Sequence, residues 1–196
     1  MTGAAVQSSG RGKLIVVAAP SGSGKTTIAR SILKRNSLLR FSVSATTRPK
    51  RRGETDGVDY FFLKPEEFRH HVDAGHFVEW EEIYGNLYGT LKSEVDAALR
   101  QGKHLLFDVD VKGALSIKRA YPEACLIFIR PPSVLVLEER LRARLTEDAE
   151  ALHRRLERVP MELAQASLFD WQVVNDLLPR ATEEVQMIVE NHLLKP

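Results

Sequence analysis

Eight consecutive residues, Ala19-Pro20-Ser21-Gly22-Ser23-Gly24-Lys25-Thr26, carry the clearest chemistry in the chain. Two glycines let the backbone bend so that successive N–H groups converge on one anion. A helix opening at the lysine adds the positive end of its dipole. In a phosphate loop of this kind, Lys25 reaches the β- and γ-phosphates of a nucleoside triphosphate and the Thr26 hydroxyl ligates Mg²⁺. Thr27 extends the set into the helix. Ala19 stands where such loops usually begin with glycine. A chance glycine-rich turn is the competing reading, and the order of strand, loop, Gly-Lys-Thr and helix speaks against it. The loop identifies only a triphosphate donor, which ATPases, GTPases and small-molecule kinases all use.

A second constellation runs from Thr46 to Leu63, Thr-Thr-Arg-Pro-Lys-Arg-Arg-Gly-Glu-Thr-Asp-Gly-Val-Asp-Tyr-Phe-Phe-Leu. Arg48 and Arg51, three apart in a loop, can fork onto the oxygens of a dianionic phosphate with paired, charge-assisted bonds. Tyr60 and Tyr88 can add hydroxyls to the same group. A solvated basic loop, or a patch for nucleic acid, is the other reading of the arginines alone. Asp108 and Asp110 close the apolar run His104–Phe107. Two apart on a strand, they share a face, and the carboxyl end of a parallel strand opens onto a ligand crevice. Asp108 there supports Mg²⁺ and its waters. Asp110 reads both as ligand contact and as N-cap of the helix that follows. Arg140 and Arg144, four apart, share a helix face, and Arg155 lies on the next helix. Their neighbours Arg142, Arg154 and Arg158 have glutamates close by, which fits a charged outer surface equally well.

The Thr46–Leu63 run resembles the guanylate kinase signature at Thr46, Thr47, Arg48, Arg51, Glu54, Gly57, Tyr60, Phe62 and Leu63. The order of elements is similar to that family from about Lys13 onward. The resemblance implies transfer of the γ-phosphoryl group of ATP, carried with Mg²⁺, directly onto GMP. It implies Arg48, Arg51, Tyr60 and Tyr88 on the acceptor phosphate, and Ser44, Glu79, Thr90 and Asp110 on guanine. Guanine offers an N1–H and a 2-amine that need acceptors, and adenine would leave those acceptors unpaired. For Glu79 taken alone, a solvated acid on an edge strand is the alternative. Arg140, Arg144 and Arg155 become arginines of a helical lid, with Lys25, Arg48, Arg140 and Arg155 as the catalytic set. Asn175 becomes an adenine contact. Two departures stand out: Leu145 replaces the glycine of the lid turn, and Asp176-Leu177 lacks a second acid.

These groups need a scaffold. Strands read at 13–18, 38–44, 104–108, 125–130 and 171–175 alternate with helices at 26–34, 92–101, 111–120, 133–144, 147–168 and 182–194. That rhythm predicts an α/β fold of the P-loop NTP hydrolase type, three layers with a central parallel sheet. Short strands at 60–63, 77–83 and 87–91 and a helix at 65–74 read as a small mixed α/β insertion. The expected division is a leader 1–11, core 12–43, GMP-binding subdomain 44–91, core 92–132, lid 133–164 and core 165–196.

With 196 residues, 43% of them hydrophobic, one domain with modest subdomains can form without staples. The single cysteine, Cys125, excludes an internal disulfide and reads as a buried strand residue. Net charge of +2 makes no demand for nucleic acid. The opening ten residues read as a leader rather than a signal peptide, and no apolar run spans a bilayer, so the expectation is cytoplasmic. The six histidines show no ligand spacing for a metal other than the Mg²⁺ of ATP. The expected partners are ATP and GMP, with no nucleic acid and no membrane; use of dGMP and oligomeric state are left open. The rival functions are a kinase of another nucleoside monophosphate and a non-catalytic guanylate-kinase-like binding module.

Overall fold

The computed structural model describes residues 11–83, 85–143 and 149–195, with side chains left undescribed at 149–154. Its elements in chain order are β1 (Leu14–Ala18), α1 (Lys25–Arg35), β2 (Leu39–Phe41), β3 (Ala45–Thr46), β4 (Phe61–Phe62), α2 (Pro65–Asp73), β5 (Phe77–Ile83) and β6 (Asn86–Leu91). There follow α3 (Lys92–Arg100), β7 (His104–Val109), α4 (Val111–Ala120), β8 (Cys125–Arg130), α5 (Val134–Ala143) and α6 (Ala149–Ala164). A 3₁₀ turn (Gln165–Leu168), β9 (Trp171–Val174) and α7 (Leu178–Leu194) complete the set.

Five strands form a parallel sheet in the order β2-β7-β1-β8-β9. The continuous apolar run of β1 has a physical reason: both of its faces are covered. Leu14, Val16 and Ala18 pack with Leu126, Phe128 and Ile117 on one side, while Ile15 and Val17 pack with Ile28, Ile32 and Val185 on the other. Strands with helices on both faces need no polar alternation. A second, mixed sheet, β4-β3-β6-β5, is filled by Phe68 of α2 stacked on Phe77 at 4.4 Å.

Several boundaries differ from the expectation. The strand expected over 38–44 ends at Phe41; Ser42 N–H still bonds the Leu106 carbonyl, and the chain then crosses to pair Ala45–Thr46 with β6 and β4. The closing helix begins at Leu178 instead of 182, because Pro179 sits in its first turn, where a missing N–H costs nothing. The helix expected over 147–168 finishes as a 3₁₀ turn, and 147–148 lie outside the described residues. Ser133 Oγ accepts from Val136 N–H and so stands just outside α5 as its cap. Among the described residues no helix is long and apolar enough to cross a membrane.

Candidate active site

β1 and β7 are neighbours in register, Val17 beside Asp108 and Ala18 beside Val109. The loop that leaves β1 and the acids that end β7 therefore emerge together at the carboxyl edge of the sheet. Gly22 and Gly24 take φ of 88° and 89°, the left-handed region that a side chain would resist. Lys25 Nζ lies 2.5 Å from Asp108 Oδ1 and donates to the Val109 carbonyl at 2.7 Å. Thr26 is exposed at the start of α1, and Thr27 is exposed beside it. Ala19 to Thr26 line a cavity of about 270 Å³ together with Glu81, Ile83, Asp110, Arg155, Arg158 and Glu162.

Arg155, from α6, donates to Ser21 Oγ at 3.2 Å, which brings one expected lid arginine onto the phosphate loop. Arg140, from α5, donates to the Asn175 carbonyl at 3.0 Å. Arg144 lies outside the described residues. Asn175 has its side chain folded beneath the loop, where its amide donates to the Ser23 carbonyl at 2.8 Å.

A second cavity, of about 620 Å³, gathers Arg48, Arg51, Tyr60 and Tyr88 with Thr26 and Asp108. Glu54 orients this group. Its carboxylate takes both guanidinium nitrogens of Arg48, at 3.1 and 2.7 Å, and the Arg51 N–H at 2.7 Å. The Arg48 bond, then the Arg51 N–H, hold Glu54 below the usual carboxylate range. The Arg48 guanidinium lies 5.3 Å from the centre of the Tyr60 ring, so a flat cation is fixed on two sides.

The residues expected on guanine meet in part. Glu79 and Thr90 are cross-strand partners on β5 and β6, and Thr90 donates its hydroxyl to Glu79 Oε1 at 2.7 Å. Burial pushes the Glu79 carboxyl up to about 7, against the pull of that hydroxyl. Asp110 caps α4, accepting from Gly113 N–H at 2.7 Å, and also faces the phosphate-loop cavity. A Cβ on Gly113 would stand 3.1 Å from both Asp110 Oδ1 and Glu79 Oε2, so the missing side chain lets two carboxylates converge. Ser44 is half-buried just before β3, outside the linings of these cavities, and its carbonyl accepts from Phe61 N–H.

Sequence reasoning missed the centre of the charge network. Arg158 Nη2 reaches Glu81 Oε1 at 2.9 Å and Asp110 Oδ2 at 3.3 Å, and its Nε lies 3.7 Å from Glu162. Burial pushes Glu81 and Glu162 to about 7. Asp110 goes the other way: burial would raise it, but bonds from Glu81 and Gly113 and the charge of Arg158 outweigh that. The available signal was spacing, since Arg158 is one turn after Arg155 and one turn before Glu162. Cys125 is 3% exposed and burial pushes its thiol to about 11, an inert core residue.

The family model described as guanylate kinase matches residues 11–192. A guanylate kinase of Chlorobium luteolum is 50% identical over 183 residues, covering 93% of each chain. One of Salinibacter ruber is 52% identical over 173 residues, 87% of this chain and 92% of the other. The crystal structure of guanylate kinase from Anaplasma phagocytophilum superposes with a TM-score of 0.72 at 28% identity, covering 94% of this chain and 88% of that one.

Proposed function

The chain belongs to the guanylate kinase family, and from that premise we propose that it transfers the γ-phosphoryl group of ATP·Mg²⁺ to GMP in the cytoplasm, supplying GDP for purine nucleotide synthesis. The observation that carries this reading is a shared cavity. Thr26 and Asp108 of the donor side line the same space as Arg48, Arg51, Tyr60 and Tyr88 of the acceptor side. Two phosphates held by those two sets would face each other, as in-line transfer requires.

The donor groups suit Mg²⁺. A hydroxyl and a carboxylate are hard oxygen ligands, and Asp108, with its side chain 12% exposed, already holds a cation in the Lys25 ammonium. Bound there with ATP, Mg²⁺ would neutralise charge on the transferring group. Lys25 exchanges Asp108 for the β- and γ-phosphates, while the loop N–H groups hold their oxygens. Arg48 and Arg51 fix the GMP phosphate, and the hydroxyls of Tyr60 and Tyr88 complete its shell. Glu79, with the Thr90 hydroxyl on its carboxylate and Asp110 across Gly113, takes the guanine donors, and Ser44 is the further contact of that set. Arg155, already on the loop, and Arg140 stabilise the charge that develops in transfer, with Arg144 joining them on closure. In this reading 44–91 is the acceptor subdomain and 133–164 the lid, both moving on the core formed by the remaining segments. Closure excludes water, the competing acceptor.

The test is ADP release coupled to NADH oxidation, with ATP·Mg²⁺ and GMP, dGMP, AMP, CMP or UMP as acceptor. Turnover confined to the guanine nucleotides and abolished by Lys25→Ala is the expected result. Equal turnover of AMP, or none with any acceptor, sinks the reading.

A further inference from the structure

Asn175 follows β9 and is 3% exposed. A side chain so enclosed has little surface to offer a nucleotide base. Its contacts run inward. The amide Nδ2 donates to the Ser23 carbonyl at 2.8 Å, the backbone N–H bonds the Arg130 carbonyl at 2.8 Å, and the backbone carbonyl accepts from Arg140 at 3.0 Å. Among the described residues its Oδ1 finds no hydrogen-bond partner. Burying such an amide costs more than its one side-chain bond returns, so packing alone gives no reason for an asparagine here.

Peptide planarity gives one. The Ser23 carbonyl and the Gly24 N–H belong to one trans peptide unit and point in opposite directions. Drawing the carbonyl down toward Asn175 therefore turns the Gly24 N–H up into the phosphate cradle. The same amide explains the residue at position 24. A Cβ there would stand 2.3 Å from Asn175 Nδ2, so the space that a side chain would fill is taken by the group that fixes the peptide.

We propose that Asn175 is a positioning residue of the phosphate loop, holding the Ser23–Gly24 peptide in the orientation that binds donor phosphates, independent of the base the donor carries. This rests on the functional reading above, and it reassigns Asn175 from an adenine contact to the support of the loop. Arg140 ties α5 to the same residue, so the strut also connects the loop to the helix that bears an expected lid arginine.

The experiment compares wild type with Asn175→Ala and with the isosteric Asn175→Asp, which removes the donor but keeps the volume. Calorimetry reads binding of ATP, CTP and inorganic tripolyphosphate, with GMP binding and the thermal midpoint measured alongside. The expected result is a loss of about ten- to a hundredfold, the scale of one buried hydrogen bond, by a similar factor for all three donors. GMP affinity should stay within about twofold of wild type, a loss well below that scale. Loss confined to ATP would return Asn175 to adenine recognition and overturn the proposal. Unchanged tripolyphosphate binding in both variants would overturn it too. So would joint loss of GMP binding and thermal stability in both variants, which marks a merely structural role. Tripolyphosphate binding reads the strut whether or not GMP is the acceptor, so failure of the functional reading is seen separately, in the turnover assay.

Discussion

The guanidinium of Arg158 on α6 lies 2.9 Å from the carboxylate of Glu81 on β5, an ion pair between that helix and the second sheet. The same group reaches Asp110 at 3.3 Å and Glu162 at 3.7 Å. One cation thus faces three carboxyl groups where α6, β5 and the start of α4 meet.

Arg158→Gln leaves that cluster without its cation. Glu81 and Glu162 are raised to about 7, by burial first, so both are largely protonated at pH 6 and ionised at pH 8. Loss of Arg158, whose charge pulls both carboxyls down, raises them further, so repulsion in the variant grows as pH rises above 7. The expected cost is about 1 kcal/mol at pH 8, discounted because the Arg158 side chain is 41% exposed, and a smaller cost at pH 6. Thermal melts of both proteins at the two pH values test this; an equal cost at both would show that the pairing does not depend on those carboxyls.

Glu79 connects stability to acceptor binding through pH. Its folded value of about 7 lies above the usual carboxyl value of 4.5, so the folded free enzyme holds more protons than the unfolded chain between those limits. Stability contributed by this group is full below 4.5 and is lost as pH rises toward 7. Guanine donors need the ionised form, so GMP binding weakens as pH falls below 7. Glu79→Gln should melt higher at pH 8, by about 1–2 kcal/mol in stability. It should bind GMP about a hundredfold more weakly and lose the inflection near 7, keeping only that of the GMP phosphate at about 6. A GMP titration series from pH 6 to 8.5 reads both; a wild-type profile with no inflection near 7 refutes the assignment.

Arg48→Lys tests the fork. A lysine keeps the charge but cannot take both oxygens of Glu54 as Arg48 does at 3.1 and 2.7 Å, nor lie flat beside Tyr60. The KM for GMP should rise about ten- to a hundredfold while the KM for ATP stays within about twofold. Steady-state kinetics with each substrate varied in turn decide it, and a matching rise for ATP would place Arg48 in the wrong half of the site.

The parts of this site that were legible from sequence are those whose chemistry is local. Lys25 and Thr26 follow from one loop between a strand and a helix, and Arg48, Arg51 and Tyr60 from one run. The β1 core strand was legible because burial on both faces leaves an unbroken apolar segment. β3 was not, since two residues, Ala45 and Thr46, carry no period and gain their partners from Gly89 and Tyr88 far along the chain. Arg158 was hidden for a different reason. Its type and spacing match its surface neighbours, and only the approach of Glu81, 77 positions away, distinguishes it. Asn175 had a plausible role on the base, and the direction of its amide, toward Ser23, is a fact of three dimensions alone.

Gly113 offers the sharpest separation of fold from function. It lies within α4, where glycine costs about 1 kcal/mol relative to alanine. A Cβ would meet Asp110 Oδ1 and Glu79 Oε2, each at 3.1 Å, tighter than an ordinary contact, and the two carboxylates would have to move apart by a few tenths of an ångström. Neither atom belongs to the backbone, so the helix survives and the site gives way. Gly113→Ala should therefore match or exceed the wild-type thermal midpoint. It should raise the KM for GMP about tenfold, the scale of one strained hydrogen bond, and leave the KM for ATP nearly unchanged. Melting curves and steady-state kinetics on one preparation test both halves. A variant that is stabilised with unaltered GMP kinetics would mean that guanine is not read by the convergence of Glu79 and Asp110, whereas a destabilised one would mean that the helix, not the carboxylates, takes up the strain.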